Sequence, residues 1–165
     1  MLFISASFPN VKDGIGDSAA FLYKAYLKKC KNCILVTSND YKIKSYLQDN
    51  NLKNIHYINN WKCSIKNILF FTKLLKNEKV IHLEYPGVVY GKSLFPIILL
   101  LLARYNNVKI ILRLHEFSQA SQTRKIVITL LVKISNYVFV PSNIDYEILK
   151  EKYGEKKNIP QKKNI

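Results

Sequence analysis

The sequence predicts a doubly wound α/β domain built on a mainly parallel sheet of about six strands. Three observations carry this. Six short β-rich runs alternate with six stretches of helical periodicity along 165 residues. The later runs KIILRL and YVFV are apolar without strict alternation, as expected of strands covered on both faces. The length suits a single core, since a chain near ~150 residues buries roughly 70% of the surface its unfolded form exposes.

Taken in order, residues 2–8 (LFISASF) form the first strand; they follow no cationic leader and so do not read as a signal peptide. Residues 15–29 carry Ala19, Leu22, Tyr23, Tyr26 and Leu27 close to a 3.6-residue period, which predicts a helix. The same alternation gives strands at 33–37, 55–58, 80–84, 108–114 and 137–140, with helices at 41–48, 65–76, 93–104, 124–135 and 144–153. The most apolar stretch, LFPIILLLLA at 94–103, falls far short of the roughly 20 residues that span a bilayer and reads as a buried crossover helix. A cytoplasmic chain is therefore expected. No repeat or Pro/Gly-rich linker interrupts residues 1–160, which form one domain. The closing EKYGEKKNIPQKKNI is polar and aperiodic, so residues 161–165 are either a tail or the start of an interdomain connection.

The net charge of +15 and hydrophobic fraction of 48% exclude a disordered chain and invite a nucleic-acid partner. The distribution argues against that partner. The charge is +3 over residues 1–50, +5 over 51–100, +4 over 101–150 and +3 over the remainder, with no concentrated patch. Only Arg104, Arg113 and Arg124 are arginines, whereas base-edge and bidentate phosphate recognition favour the planar guanidinium fork. The abundance of Lys, Asn, Ile and Tyr matches an AT-rich coding bias. A preference for anionic lipids or phosphorylated ligands is the functional alternative. Cys30, Cys33 and Cys63 are too few for a disulfide framework. The C-x-x-C pair straddles a helix end and a strand start, so structural cysteines are expected.

In open parallel sheets, ligands bind beyond the carboxyl ends of the strands. Four segments lie there. In PNVKDGIGD, Gly14 and Gly16 either allow close backbone approach to a ligand or simply make a tight turn, and Asp17 either caps the helix or accepts from a sugar hydroxyl. The segment is neither G-x-G-x-x-G, which fails at Ala19, nor a P-loop. In IHLEYPGVVYG, His82 is expected as a satisfied core histidine, while Glu84 and Tyr85 at the strand exit suit sugar binding or, for Glu84, local hydrogen bonding. In LRLHEFS, His115 and Glu116 emerge where a polar side chain reaches the crevice, and histidine can orient or polarise a hydroxyl near neutral pH. In VPSN, Ser142 is either a site residue or the cap of the next helix.

A short strand followed by GIGD, then HLEYPGVVYG, RLHE and FVPSNIDYEIL, in this order and spacing, resembles the N-terminal domain of GT-B-fold glycosyltransferases of the family-4 type. The likeness covers about residues 1–160. It implies a Rossmann-like domain that receives the acceptor, with Gly14, Gly16 and Asp17 beside the donor phosphates and acceptor. It also implies that His115 and Glu116 line the catalytic cleft, although Glu116 stands where family members often carry Asp. The implied activity is transfer of a sugar, with retention, from a nucleotide-sugar to a sugar or lipid-linked acceptor in surface-polysaccharide or glycolipid synthesis, with no obligatory metal or other cofactor. The family's second domain, which holds the nucleotide-sugar, has no counterpart after Ile165, so the chain alone is expected to have little or no transferase activity. Peripheral contact with the inner face of the membrane is a further expectation. The rival from another class is a noncatalytic Rossmann-like module that pairs with another subunit.

Overall fold

The computed structural model describes residues 1–9, 14–30, 32–86, 88–91, 93–115 and 117–154. Its strands are β1 (Leu2–Ile4), β2 (Ile34–Ser38), β3 (Ile55–Ile58), β4 (Val80–Tyr85), β5 (Lys109–Leu114) and β6 (Tyr137–Phe139). The helices between and after them are α1 (Gly14–Lys29), α2 (Tyr41–Asp49), α3 (Ile65–Leu75), α4 (Phe95–Tyr105), α5 (Gln122–Ile134) and α6 (Asn143–Tyr153), with a 3-10 turn at Val88–Tyr90. All strand pairs are parallel, in the order β3-β2-β1-β4-β5-β6. This is the doubly wound, Rossmann-like α/β fold, and its strand order reverses between β1 and β4.

Register and alternation divide the sheet into two faces. Leu2, Ile4, Val36, Ile81, Leu83, Ile110 and Leu112 join α3, α4 and α5 in one core. Phe3 and Leu35 on the opposite face join Phe8, Ala19, Ala20 and Tyr23 of α1 and its approach, and Ile43 and Leu47 of α2. The apolar segment at 94–103 supplies most of α4, which buries Phe95, Leu99, Leu100 and Ala103 as a crossover helix does. Coverage of the α1–α2 face stops short of the far edge. There Ile111 and Arg113 are half-buried, while Tyr137 and Phe139 beside them in register are exposed.

Local chemistry sets the boundaries. Asp40, Ser64, Ser121 and Ser142 cap α2, α3, α5 and α6 by accepting backbone N–H bonds. Ser121 thereby starts α5 two residues before the expected Arg124. Ser93 Oγ accepts the Phe95 N–H at 3.1 Å, and α4 starts after it, two residues later than expected. Asn51 and Asn107 adopt positive φ of 50° and 56° just past α2 and α4, the left-handed stop more often made by glycine. The first strand is shorter than the expected 2–8. Residues 5–8 stay buried but leave the ladder after Ser5 N–H bonds the Val36 carbonyl at 3.1 Å, and the Ser5 hydroxyl turns to the Ser7 carbonyl at 2.6 Å. The small residues and Phe8 of this segment are buried without pairing, and from sequence they read as a continuation of the strand. Among the described residues no helix is long and apolar enough to cross a membrane.

Candidate functional site

The reversal of strand order puts β4 at the crevice, and β4 and β5 present two short polar triplets there: His82-Leu83-Glu84 and Arg113-Leu114-His115. Period-2 alternation sends the outer residues of each triplet to the face that carries α1. Glu84 is aligned with Arg113, and the ladder continues one step to a His115 N–H bond with the Tyr85 carbonyl at 2.9 Å.

The result is a buried polar cluster centred on Glu84, which is 1% exposed. Its Oε1 lies 3.1 Å from His82 Nε2 and 3.4 Å from an Arg113 guanidinium nitrogen, and its Oε2 lies 2.6 Å from His115 Nε2. His82 is in turn stacked on Phe3 at 4.9 Å between ring centres, and its Nδ1 lies 3.1 Å from the Tyr26 hydroxyl of α1. Burial works to raise the Glu84 carboxyl, but the hydrogen bonds from His115 and His82, together with the electrostatic attraction of His82 and then of Arg113, outweigh it and hold the group at about 2. Glu84 is therefore an anion at neutral pH. Burial, followed by the Glu84 charge, pushes the Tyr26 phenol up, so it keeps its proton.

The candidate residues fall into distinct places. Glu84 and His115 come together. Tyr85, whose side chain faces the other side of the sheet, is buried at 3% exposure with its ring 5.6 Å from that of Tyr90, so it offers no open face for stacking on a sugar. Gly16 is required by packing: a Cβ there would stand 2.6 Å from the Phe8 carbonyl oxygen, so the start of α1 seats directly on the chain leaving β1. Gly14 has open space around it and Asp17 is exposed in the first turn of α1. Ser142 caps α6, its Oγ accepting the Asp145 N–H at 3.4 Å. Glu116 lies outside the described residues, as do residues 10–13 of the glycine segment. His82 is the satisfied core histidine expected of its place in the strand. Cys33 is buried, and that burial pushes its thiol up to about 12, an unreactive structural cysteine.

Sequence reasoning missed Arg113, Tyr26 and Asp145. The i, i+2 spacing of Arg113 and His115 was the available signal for the first, since it places both on one face of a strand. Asp145 is fully buried at the start of α6 and accepts the N–H groups of Phe117 and Ser118 at 3.1 and 2.7 Å, which clamps the loop just after His115. Nothing in a lone Asp of a helix's first turn announces that long-range bond.

A concavity of about 710 Å³ opens where the segments after β3 and β4 meet, lined by Asn59, Trp61, Lys62, Tyr90, Ser93 and Leu94 among others. The Trp61 indole N–H donates to Ser38 Oγ at 2.8 Å, Ser38 Oγ to the Ala6 carbonyl at 2.6 Å, and the Ser93 hydroxyl to the Trp61 carbonyl. These bonds fasten the exits of β1 and β2 and the segments after β3 and β4 to one another.

Chemically, the Glu84 cluster can hold and orient an imidazole at the carboxyl end of the sheet; the concavity, whose lining shares no residue with that cluster, can admit a polar ligand with an apolar portion. Among the described residues no three His, Cys, Asp or Glu side chains are arranged to hold a metal ion. No protein-family model and no curated protein matches the sequence.

Proposed function

We propose that this chain is the acceptor-side domain of a nucleotide-sugar-dependent glycosyltransferase. One observation carries the reading: Glu84 and His115, from two of the segments whose order and spacing resemble that enzyme family, meet at 2.6 Å beside the reversal in strand order. A carboxylate-oriented imidazole at a sheet crevice suits the recognition of hydroxyl-rich ligands, because it offers a directed acceptor near neutral pH. The concavity after β3 and β4, with its amides, Lys62 and the exposed Leu94 at its rim, has the mixed character that a sugar or lipid-linked acceptor would use. The lysine-rich surface favours an anionic membrane as the place where such an acceptor is met.

In this proposal, transfer needs a second α/β domain to hold the donor, supplied by a longer reading frame or by a partner subunit. The test is to join the chain to the downstream frame, or to co-express it with a candidate second domain, and to assay sugar transfer and nucleotide-sugar binding. Transfer that falls at least about tenfold in His115→Ala supports the proposal. Absence of both transfer and nucleotide-sugar binding in the completed protein overturns it.

The exposed Tyr137 and Phe139 beside Ile111 favour a second reading, a noncatalytic module that docks another subunit through this sheet face. Sedimentation of the chain at rising concentration distinguishes it. A stable dimer abolished by Phe139→Lys would support docking, and a monomer at all concentrations would remove self-association as its form.

A further inference from the structure

The proton inventory of the buried cluster has one solution with neutral imidazoles. Glu84, anionic and nine-tenths or more buried, has no proton to give and accepts at both oxygens. Each neighbouring imidazole must therefore place its proton on the nitrogen that faces the carboxylate, which is Nε2 for both His82 and His115. His82 Nδ1 is then a bare acceptor, and the Tyr26 hydroxyl 3.1 Å away is the donor it requires. The His82 ring stacks on Phe3 and meets the Tyr26 ring edge-on, and turning it to exchange its nitrogens would lose its bonds to Glu84 and Tyr26. Arg113 balances the single negative charge.

His115 stands at the outer end of this chain of bonds. Its Nε2 is committed to Glu84, while its Nδ1 has no hydrogen-bond partner among the described residues and is not among the sealed polar atoms, which are Thr37 Oγ1 and Tyr90 Oη. We infer that Glu84 is a positioning residue that locks His115 as its Nε2–H tautomer, so that His115 meets its ligand through a bare Nδ1, and that Tyr26 fixes His82 in the same tautomer on the other carboxylate oxygen. That nitrogen accepts and does not donate. It selects a ligand group that brings its own proton, such as a sugar hydroxyl, and gives nothing to a phosphate oxygen. The inference deepens the glycosyltransferase reading and rests on it only for the identity of the hydroxyl.

The chain has three histidines, and His56, exposed on β3, lies outside the cluster and serves as an internal reference. The experiment is a long-range proton–nitrogen NMR spectrum of the imidazoles in the uniformly labelled 165-residue chain at neutral pH. The expected result is His115 protonated at Nε2 and bare at Nδ1 by about tenfold or more, as a hydrogen bond to a buried carboxylate requires, with His82 in the same tautomer. A proton on His115 Nδ1, or a mixture like that of His56, overturns the inference. Glu84→Gln is expected to abolish the His115 bias, and survival of the bias in the folded variant would show that Glu84 does not set it. Tyr26→Phe keeps the ring and removes only the outer donor. It should reduce the His82 bias severalfold and leave the His115 bias in place, and an unchanged His82 would remove Tyr26 from the chain. Inorganic phosphate, as a counter-probe, should leave the His115 Nδ1 resonance where it is, and protonation of Nδ1 on phosphate addition would overturn the acceptor-only assignment. The two proposals fail separately: the expected tautomer with no sugar transfer by the completed protein sinks the enzyme reading, whereas the wrong tautomer sinks this inference whatever the activity.

Discussion

Glu84 shows how one buried charge acquires several dependants. Its carboxyl is held at about 2 against an ordinary 4.5, so its contribution to stability is complete above about pH 4.5 and is lost as the pH falls toward 2. The shift corresponds to a contribution on the order of 3 kcal/mol. We expect Glu84→Gln to lower unfolding free energy by about that amount at pH 7, and the gap between variant and wild type to narrow steadily below pH 4.5, as read by urea denaturation at a series of pH values. The glycines give a cleaner contrast. Gly16→Ala forces a Cβ against the Phe8 carbonyl and should cost about 1–3 kcal/mol, whereas Gly14→Ala meets open space and should change stability by less than about 1 kcal/mol. Thermal denaturation of the two variants checks this. At this scale the sequence was half legible. Strand position marked Glu84 and His115, whereas the period-2 alternation that puts His82 with Glu84 and Arg113 with His115 was present in the sequence but went unread. Their meeting depended on the β4–β5 register, which pairs residues about thirty positions apart and leaves no trace in either segment alone.

Among the elements, the number, type and order of strands and helices were legible because each segment carries its own periodicity and most helices carry their own cap. The errors share a physical origin. Residues 5–8 continue the first strand's run of small and apolar residues and are buried like it, yet beyond Ser5 they are not paired. The starts of α4 and α5 moved by two residues because Ser93 and Ser121, not the apolar pattern, decide where the first N–H groups find acceptors. The start of α6 has a role beyond its own helix. Asp145 holds the backbone after β5, so Asp145→Ala should leave the Phe117 and Ser118 N–H groups without an acceptor at a cost of about 1–3 kcal/mol. Amide hydrogen exchange at those two residues should accelerate by more than the global loss of stability explains. Equal acceleration throughout the sheet would show that the clamp has no local effect.

For the whole molecule, the two hydrophobic clusters lie on opposite faces of one sheet and share its strands, so neither face can be lost alone. The single tryptophan reports on this union. Trp61 is 3% exposed, bonded to Ser38 and packed against Tyr90 at 5.1 Å and Phe71 at 6.4 Å. Its fluorescence and the far-ultraviolet circular dichroism should therefore follow one coincident unfolding transition, and separated midpoints would reveal independent halves.

The central position of β1 has a consequence for how the protein is made. Leu2 pairs with Ile34 on one side and with Ile81 on the other. A ribosome adding about 5–20 residues per second delivers β4 roughly one to five seconds after β3. If β1, β2 and β3 pair before β4 emerges, the ribbon they make carries an open, apolar β1 edge through that interval, able to accept another extended segment. The hazard to this chain in a cell is thus set by the pace of translation and by what nascent-chain chaperones cover in those seconds, and the stability of the finished sheet offers no protection against it.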